Sequence, residues 1–190
     1  DASVIGNGYG FVVGGNYHPN TPFIEPASAS LLWEEKESMI TDVTYHPEAK
    51  MISFITSGEE GNAVIAAKDG EGKIIWSWQI WSTDQPQEQK YVNSAGTFYM
   101  MDRNLGATSA TPGEVGSLGL LYQWGRKDPF LGSSSTSKSV AAKSLYGNWQ
   151  VVSSSKTTGT IGYTIAHPTV FITPSGNADW YYTGSASTDN

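Results

Sequence analysis

No cysteine occurs anywhere in the 190 residues. Disulfide staples, thiolate metal sites and a cysteine nucleophile are thereby excluded, while the redox compartment stays undecided. Charge is scarce too: 15% of residues are Asp, Glu, Lys or Arg, well below the norm for soluble domains. Cations are the rarer sign, 11 Lys and Arg against 18 Asp and Glu, for a formal net charge of −7. Such a chain has no basic footprint for nucleic acid or an anionic membrane surface. Long apolar runs are missing as well, and nothing approaches the ~20 residues of a membrane-spanning helix. Each of the three histidines, His18, His46 and His167, precedes a proline. The residue before proline is driven toward extended backbone, so all three read as turn or strand-end positions. None has the HExxH spacing of a metal site.

What the chain has instead is aromatic bulk. Seven Trp and ten Tyr lie in a background of Gly, Ser, Thr and Asn. The large rings can carry a core, and the composition suits an all-β surface or secreted protein. The pattern along the first half is strand-like. "YGFVV" (9–13), "SLLWEE" (30–35) and "ITDVTYHPEAKMISFIT" (40–56) are strand candidates, the last folded about the turn "HPEA", where Pro47 presets φ. "NAVIAAK" (62–68) and "KIIWSWQIW" (73–81) flank "DGEG", the clearest hairpin signal in the chain. In the second of these, Trp76, Trp78 and Ile80 alternate with Ser77, Gln79 and Trp81, the period of a strand with one face on a core. The spacing predicts an Ig-like β-sandwich over 1–85. The polar "STDQPQEQK" (82–90) reads as the boundary before a second, α+β module at 92–190. The whole is expected to be mainly β with some α.

In the second module "TFYMMDRNL" (97–105) reads as a strand. "TPGE" (111–114) has the form of a capping box with proline at the first helical position. With Val115, Leu118 and Tyr122 at helical spacing, and Pro129 as a stop, it predicts a helix over 112–127 with Thr111 as N-cap. A short helix is expected at 139–145, and a strand or two in "TIGYTIAHPTVFITP" (160–174).

The polar-aromatic constellations are "MDRNLGA" (101–107) and "YQWGRKD" (122–128). Asp102, Arg103, Asn104, Gln123, Arg126 and Asp128 form either a ligand pocket or a buried network with Arg forks on carboxylates. Trp76, Trp78 and Trp124 read as core, whereas Trp180, Tyr181 and Tyr182 read as exposed aromatics. Acid pairs among Glu34, Glu35, Glu37, Glu59, Glu60, Asp69 and Glu71 read as solvated surface rather than as the carboxylates of a glycosidase. No catalytic residue, metal site or cofactor is expected.

In this order and spacing, "GNAVIAAKDGEGKIIWSWQIW", "MMDRNLGAT" and "GLLYQWGRKDPF" resemble a domain common in Bacteroidetes surface proteins, that of the fimbrillin-associated and FISUMP-type "major paralogous" proteins. The resemblance covers about residues 30–182. It implies an exported, outer-membrane surface protein or fimbrial component, and a C-type-lectin-like fold in the second module, distantly like formylglycine-generating enzymes. The chemistry of those enzymes uses cysteine, which this chain lacks. It implies a non-catalytic adhesion or ligand-binding role, toward a host or dietary glycan or a protein at the cell surface. The alternative is a structural pilin subunit assembling by strand addition. Relatives continue past "YYTGSASTDN" into closing strands, so an incomplete second module is expected, with an open edge near "TVFIT" (169–173) or "TFYMM" (97–101).

Overall fold

"GNAVIAAK" forms the central strand of the molecule and is buried along nearly its whole length. The computed structural model describes residues 11–13, 16–18, 24–131, 149–174 and 179–182. The strands run β1 (Phe11–Val13), β2 (Asn16–His18), β3 (Ser28–Glu34), β4 (Ile40–His46), β5 (Met51–Thr56), β6 (Gly61–Lys68) and β7 (Ile74–Ser82). They continue as β8 (Glu88–Asn93), β9 (Gly96–Met101), β10 (Leu121–Tyr122), β11 (Pro129–Phe130), β12 (Gln150–Ser153) and β13 (Val170–Thr173), with helix α1 (Ile161–Ala166) before β13. The protein is mainly β with some α.

Both turns read from the sequence form as their residues dictate. Asp69 closes the β6–β7 hairpin: its Oδ1 accepts the amides of Glu71 and Lys73, and Gly72 takes the left-handed φ of +81°. In "HPEA" the amide of Lys50 donates to the Pro47 carbonyl at 3.2 Å.

The sheet order is β3-β6-β7, antiparallel throughout, and a β4–β5 hairpin packs on one face of it. Met39, Ile40, Ala63 and Ile65 are buried between these layers, with Leu31, Phe54, Trp78 and Ile80 around them. A bulge between Leu31 and Trp33 shifts the register of β3. It leaves Leu31 on this face and turns Trp33 to the other, where Trp33 packs with Val64, Leu120 and Leu131. Residues 62–82 and residues 104–131 therefore share a core across the polar connector.

Three corrections to the sequence reading have local causes. The helix expected over 112–127 is absent. The segment holds a single 3-10 turn at Val115–Ser117, then β10. Gly113, Gly119 and Gly125 sit at φ of +88°, +71° and +76°, conformations that break a right-handed helix. Thr111 caps nothing; its amide donates to Ser109 Oγ, and Glu114 accepts from that same hydroxyl at 2.6 Å. Conversely, "TIGYTIAHP" contains α1. Thr160 Oγ1 caps it by accepting the Tyr163 amide at 3.1 Å, and Pro168 lies just beyond its end. With β12 and β13 it makes a parallel pair joined through a helix. Finally, Trp76 and Trp78, read as core, lie on a strand at the edge of the described sheet and are half-buried. The helix expected at 139–145 lies outside the described residues.

Candidate functional site

β7 presents its second face to the later half of the chain, and that face is polar. Ser77 Oγ donates to Asp128 Oδ1 at 2.7 Å, and Trp81 Nε1 donates to the Ala107 carbonyl at 3.1 Å. Gln79 Nε2 donates to Asn62 Oδ1, and the Tyr122 hydroxyl donates to Gln79 Oε1 at 2.6 Å. Asn62, wholly buried, donates from Nδ2 to Glu35 Oε2 and to the Gly106 carbonyl. Burial pushes the Glu35 carboxyl above its ordinary value, against the opposing pull of these Asn62 hydrogen bonds.

The residues picked from the sequence divide among three places. Arg103 binds Asp102 at 2.8 Å and also Asp84 and Thr83, pinning the connector before β8. Its hydrogen bonds hold both aspartates below the usual carboxylate range. Asn104 Nδ2 donates to the Ser117 carbonyl at 3.3 Å, holding the glycine-rich loop. Asp128, buried, accepts from Ser77 and from Lys127 Nζ at 2.7 Å, and the same ammonium lies 4.5 Å from the centre of the Trp76 ring. Burial lowers the Lys127 pKa, although Asp128 opposes the shift.

Gln123 and Arg126 close the outer edge of β13. The Gln123 amide pairs with Ile172 as a neighbouring strand would, donating to its carbonyl at 2.7 Å and accepting its amide at 3.1 Å. Arg126 Nη1 donates to the Val170 carbonyl at 2.7 Å and to Gln123 Oε1 at 2.6 Å. The guanidinium lies between the rings of Phe130, 5.1 Å away, and Trp180, 6.0 Å away. Among the described residues the buried Nε finds no acceptor, and desolvation lowers the pKa of the group. "TVFIT" is thus not an open edge. "TFYMM" is one among the described residues: every residue of β8 and β9 is exposed, and within the described structure the two strands pair only with each other.

Between Gln123 and Arg126 lies a tight turn, closed by the Arg126 amide on the Gln123 carbonyl at 2.9 Å. Gly125, with φ of +76°, occupies the third position as a type II turn demands. Trp124 is the second residue, and its side chain is thrown outward to 90% exposure. Trp180, by contrast, is only 7% exposed and donates from Nε1 to the Trp124 carbonyl at 2.6 Å. The two tryptophans therefore exchange the roles expected of them: Trp180 is the buried support and Trp124 the free platform. Tyr181 is exposed and Tyr182 half-buried, the latter's amide donating to the Gly159 carbonyl.

The turn borders an open cleft of about 630 Å³, lined by Leu121, Tyr122, Gln123, Trp124, Phe171, Pro174, Asp179 and Trp180. Of the site residues expected from sequence it gathers Gln123 and Trp180. Trp124 and Asp179 were missed, though the Trp-Gly pair ahead of Arg126 is a readable turn signal. Among the described residues no group of three or more His, Cys, Asp or Glu gathers as a metal site would require, and no helix is long and apolar enough to cross a membrane. No family model, no curated protein and no solved structure matches the chain.

Proposed function

We propose that this chain is a non-catalytic ligand-binding module of an exported bacterial surface protein, acting in adhesion, and that the Trp124 cleft is where it holds a glycan or protein ligand. One observation carries the reading: a tryptophan ring at 90% exposure, fixed by a glycine turn and a buried partner, at the mouth of an aromatic-lined cleft. Exposed aromatic anchors beside a concavity are the usual form of a recognition site. The non-catalytic part is supported by two serines that sit beside a base, neither of them lining the cleft; one is Ser53, whose Oγ lies 2.7 Å from His46 Nε2 on the exposed β4–β5 hairpin. The other, Ser77, lies beside Lys127 Nζ, yet Ser77 is buried and its hydroxyl proton is committed to Asp128. Screening the purified chain on paired glycan and peptide arrays tests the proposal. Saturable binding to either surface is expected, and a blank on both counts against it.

A second reading, a structural subunit joined by strand addition, is favoured by the β8–β9 hairpin. Phe98, Tyr99, Met100 and Met101 on β9 are all exposed, with no proline or charge to guard the edge. An isolated two-stranded hairpin is marginal in water, and a third strand would stabilise it.

A further inference from the structure

We infer that the Trp124 cleft takes a cationic side chain of a protein ligand, an arginine or lysine laid on the Trp124 ring with Asp179 as counter-charge. The inference rests on the reading of this cleft as the binding site and narrows it to one class of ligand.

The polar groups lining the cleft decide between the ligand classes. A glycan presents many hydroxyls and needs many free donors and acceptors to replace their water. Here those groups are already engaged. The Tyr122 hydroxyl is bound to Gln79, both heteroatoms of the Gln123 amide are bound to Ile172, and Trp180 Nε1 is bound to the Trp124 carbonyl. Two side-chain groups remain. Trp124 offers an unobstructed ring face, and Asp179 uses Oδ1 to accept the Tyr181 amide at 3.1 Å while Oδ2 has no partner among the described residues. Among the described residues Asp179 is the only charged one lining the cleft. Aromatic faces with a single acid are the complement of a cation carried on an apolar stem. The protein's net charge of −7 draws such a ligand in and repels an acidic one. Arginine fits best, since its flat guanidinium stacks on indole and keeps donors free for the carboxylate.

The test is a titration of the 15N-labelled chain, followed at the Trp124 indole signal, which is assigned by its loss in Trp124→Ala. Three probes are used: acetylated and amidated Arg-Pro-Pro-Arg, its Glu-Pro-Pro-Glu counterpart, and cellotriose. The arginine peptide is expected to shift the signal saturably and to weaken as salt is raised. Asp179→Asn, which keeps the acceptor for Tyr181 and removes the charge, should weaken that binding about tenfold. Binding of cellotriose without the arginine peptide would overturn the cationic assignment while leaving the cleft as the site. Equal binding of both peptides, or no effect of Asp179→Asn, would overturn it too. A Trp124 signal unmoved by all three probes would defeat both this inference and the reading beneath it.

Discussion

Replacing Asn62 by alanine removes the side chain on which the two halves of the chain meet. Asn62 lies at 0% exposure and makes three side-chain hydrogen bonds, to Glu35 at 2.9 Å, to the Gly106 carbonyl at 2.7 Å and from Gln79 at 2.9 Å. The Gly106 carbonyl and Gln79 Nε2 have no other hydrogen-bond partner described, so alanine would strand both. A buried group left without its hydrogen bond costs about 1–3 kcal/mol, so the two together predict a loss of ~2–6 kcal/mol, less whatever an entering water recovers. The assay is urea unfolding followed by tryptophan fluorescence. The wild type should unfold in one transition with every tryptophan reporting the same midpoint, because Trp33, Leu120 and Leu131 share a core. Asn62→Ala should move that whole transition to lower urea. A loss below about 1 kcal/mol, within the range of ordinary surface substitutions, would refute the claim that this network joins the halves. So would a wild type that unfolds in two separate steps.

Four further outcomes follow from the same contacts. Gly106→Ala should destabilise strongly, since a Cβ there would meet Leu120 Cγ at 2.6 Å at a φ of +81°; a denaturation midpoint equal to wild type would contradict this. Burial raises the folded-state pKa of Glu35, so its contribution to stability is full below the ordinary glutamate value of about 4.3 and is lost as pH rises through the raised one. Glu35→Gln should therefore be less sensitive to pH than wild type across that window, measured as unfolding free energy against pH. Arg103 lowers the pKa of both Asp84 and Asp102, which works in the opposite direction: their contribution is present above about pH 4 and lost as pH falls. Arg103→Gln should flatten that acid limb. If the β9 edge pairs between molecules, Tyr99→Lys should abolish concentration-dependent association in sedimentation velocity, and unchanged association would remove the strand-addition reading.

The parts of the fold legible in the sequence were those decided by neighbours in the chain. Asp69 and Gly72 make their turn with residues two to four positions away, so "DGEG" between two apolar runs was sufficient. The 112–127 segment failed for a related reason. Its apolar spacing was helical, but three glycines adopt left-handed backbone, and at one of them, Gly119, the loop lies against Leu105 and Asn104, contacts that no local pattern announces. α1 was hidden by β-branched residues, although Thr160 before it and Pro168 after it were in plain view. At the site, Gln123 and Arg126 were recognised as polar residues with work to do, but their partner is the backbone of β13, more than forty residues on. Burial was assigned the wrong way round between Trp124 and Trp180 because Trp124 follows the apolar run "LLY" and Trp180 the polar "SGNAD". What separates them is the turn that expels one and the carbonyl that anchors the other.

The central claim is that Trp124 is a binding residue and not a surface accident, and its removal is the most direct test. A side chain at 90% exposure contributes little to the fold, so Trp124→Ala should unfold within about 0.5 kcal/mol of wild type. On the same glycan and peptide arrays, that variant should lose every signal the wild type gives. Retention of the full binding pattern by a folded Trp124→Ala protein would contradict the account.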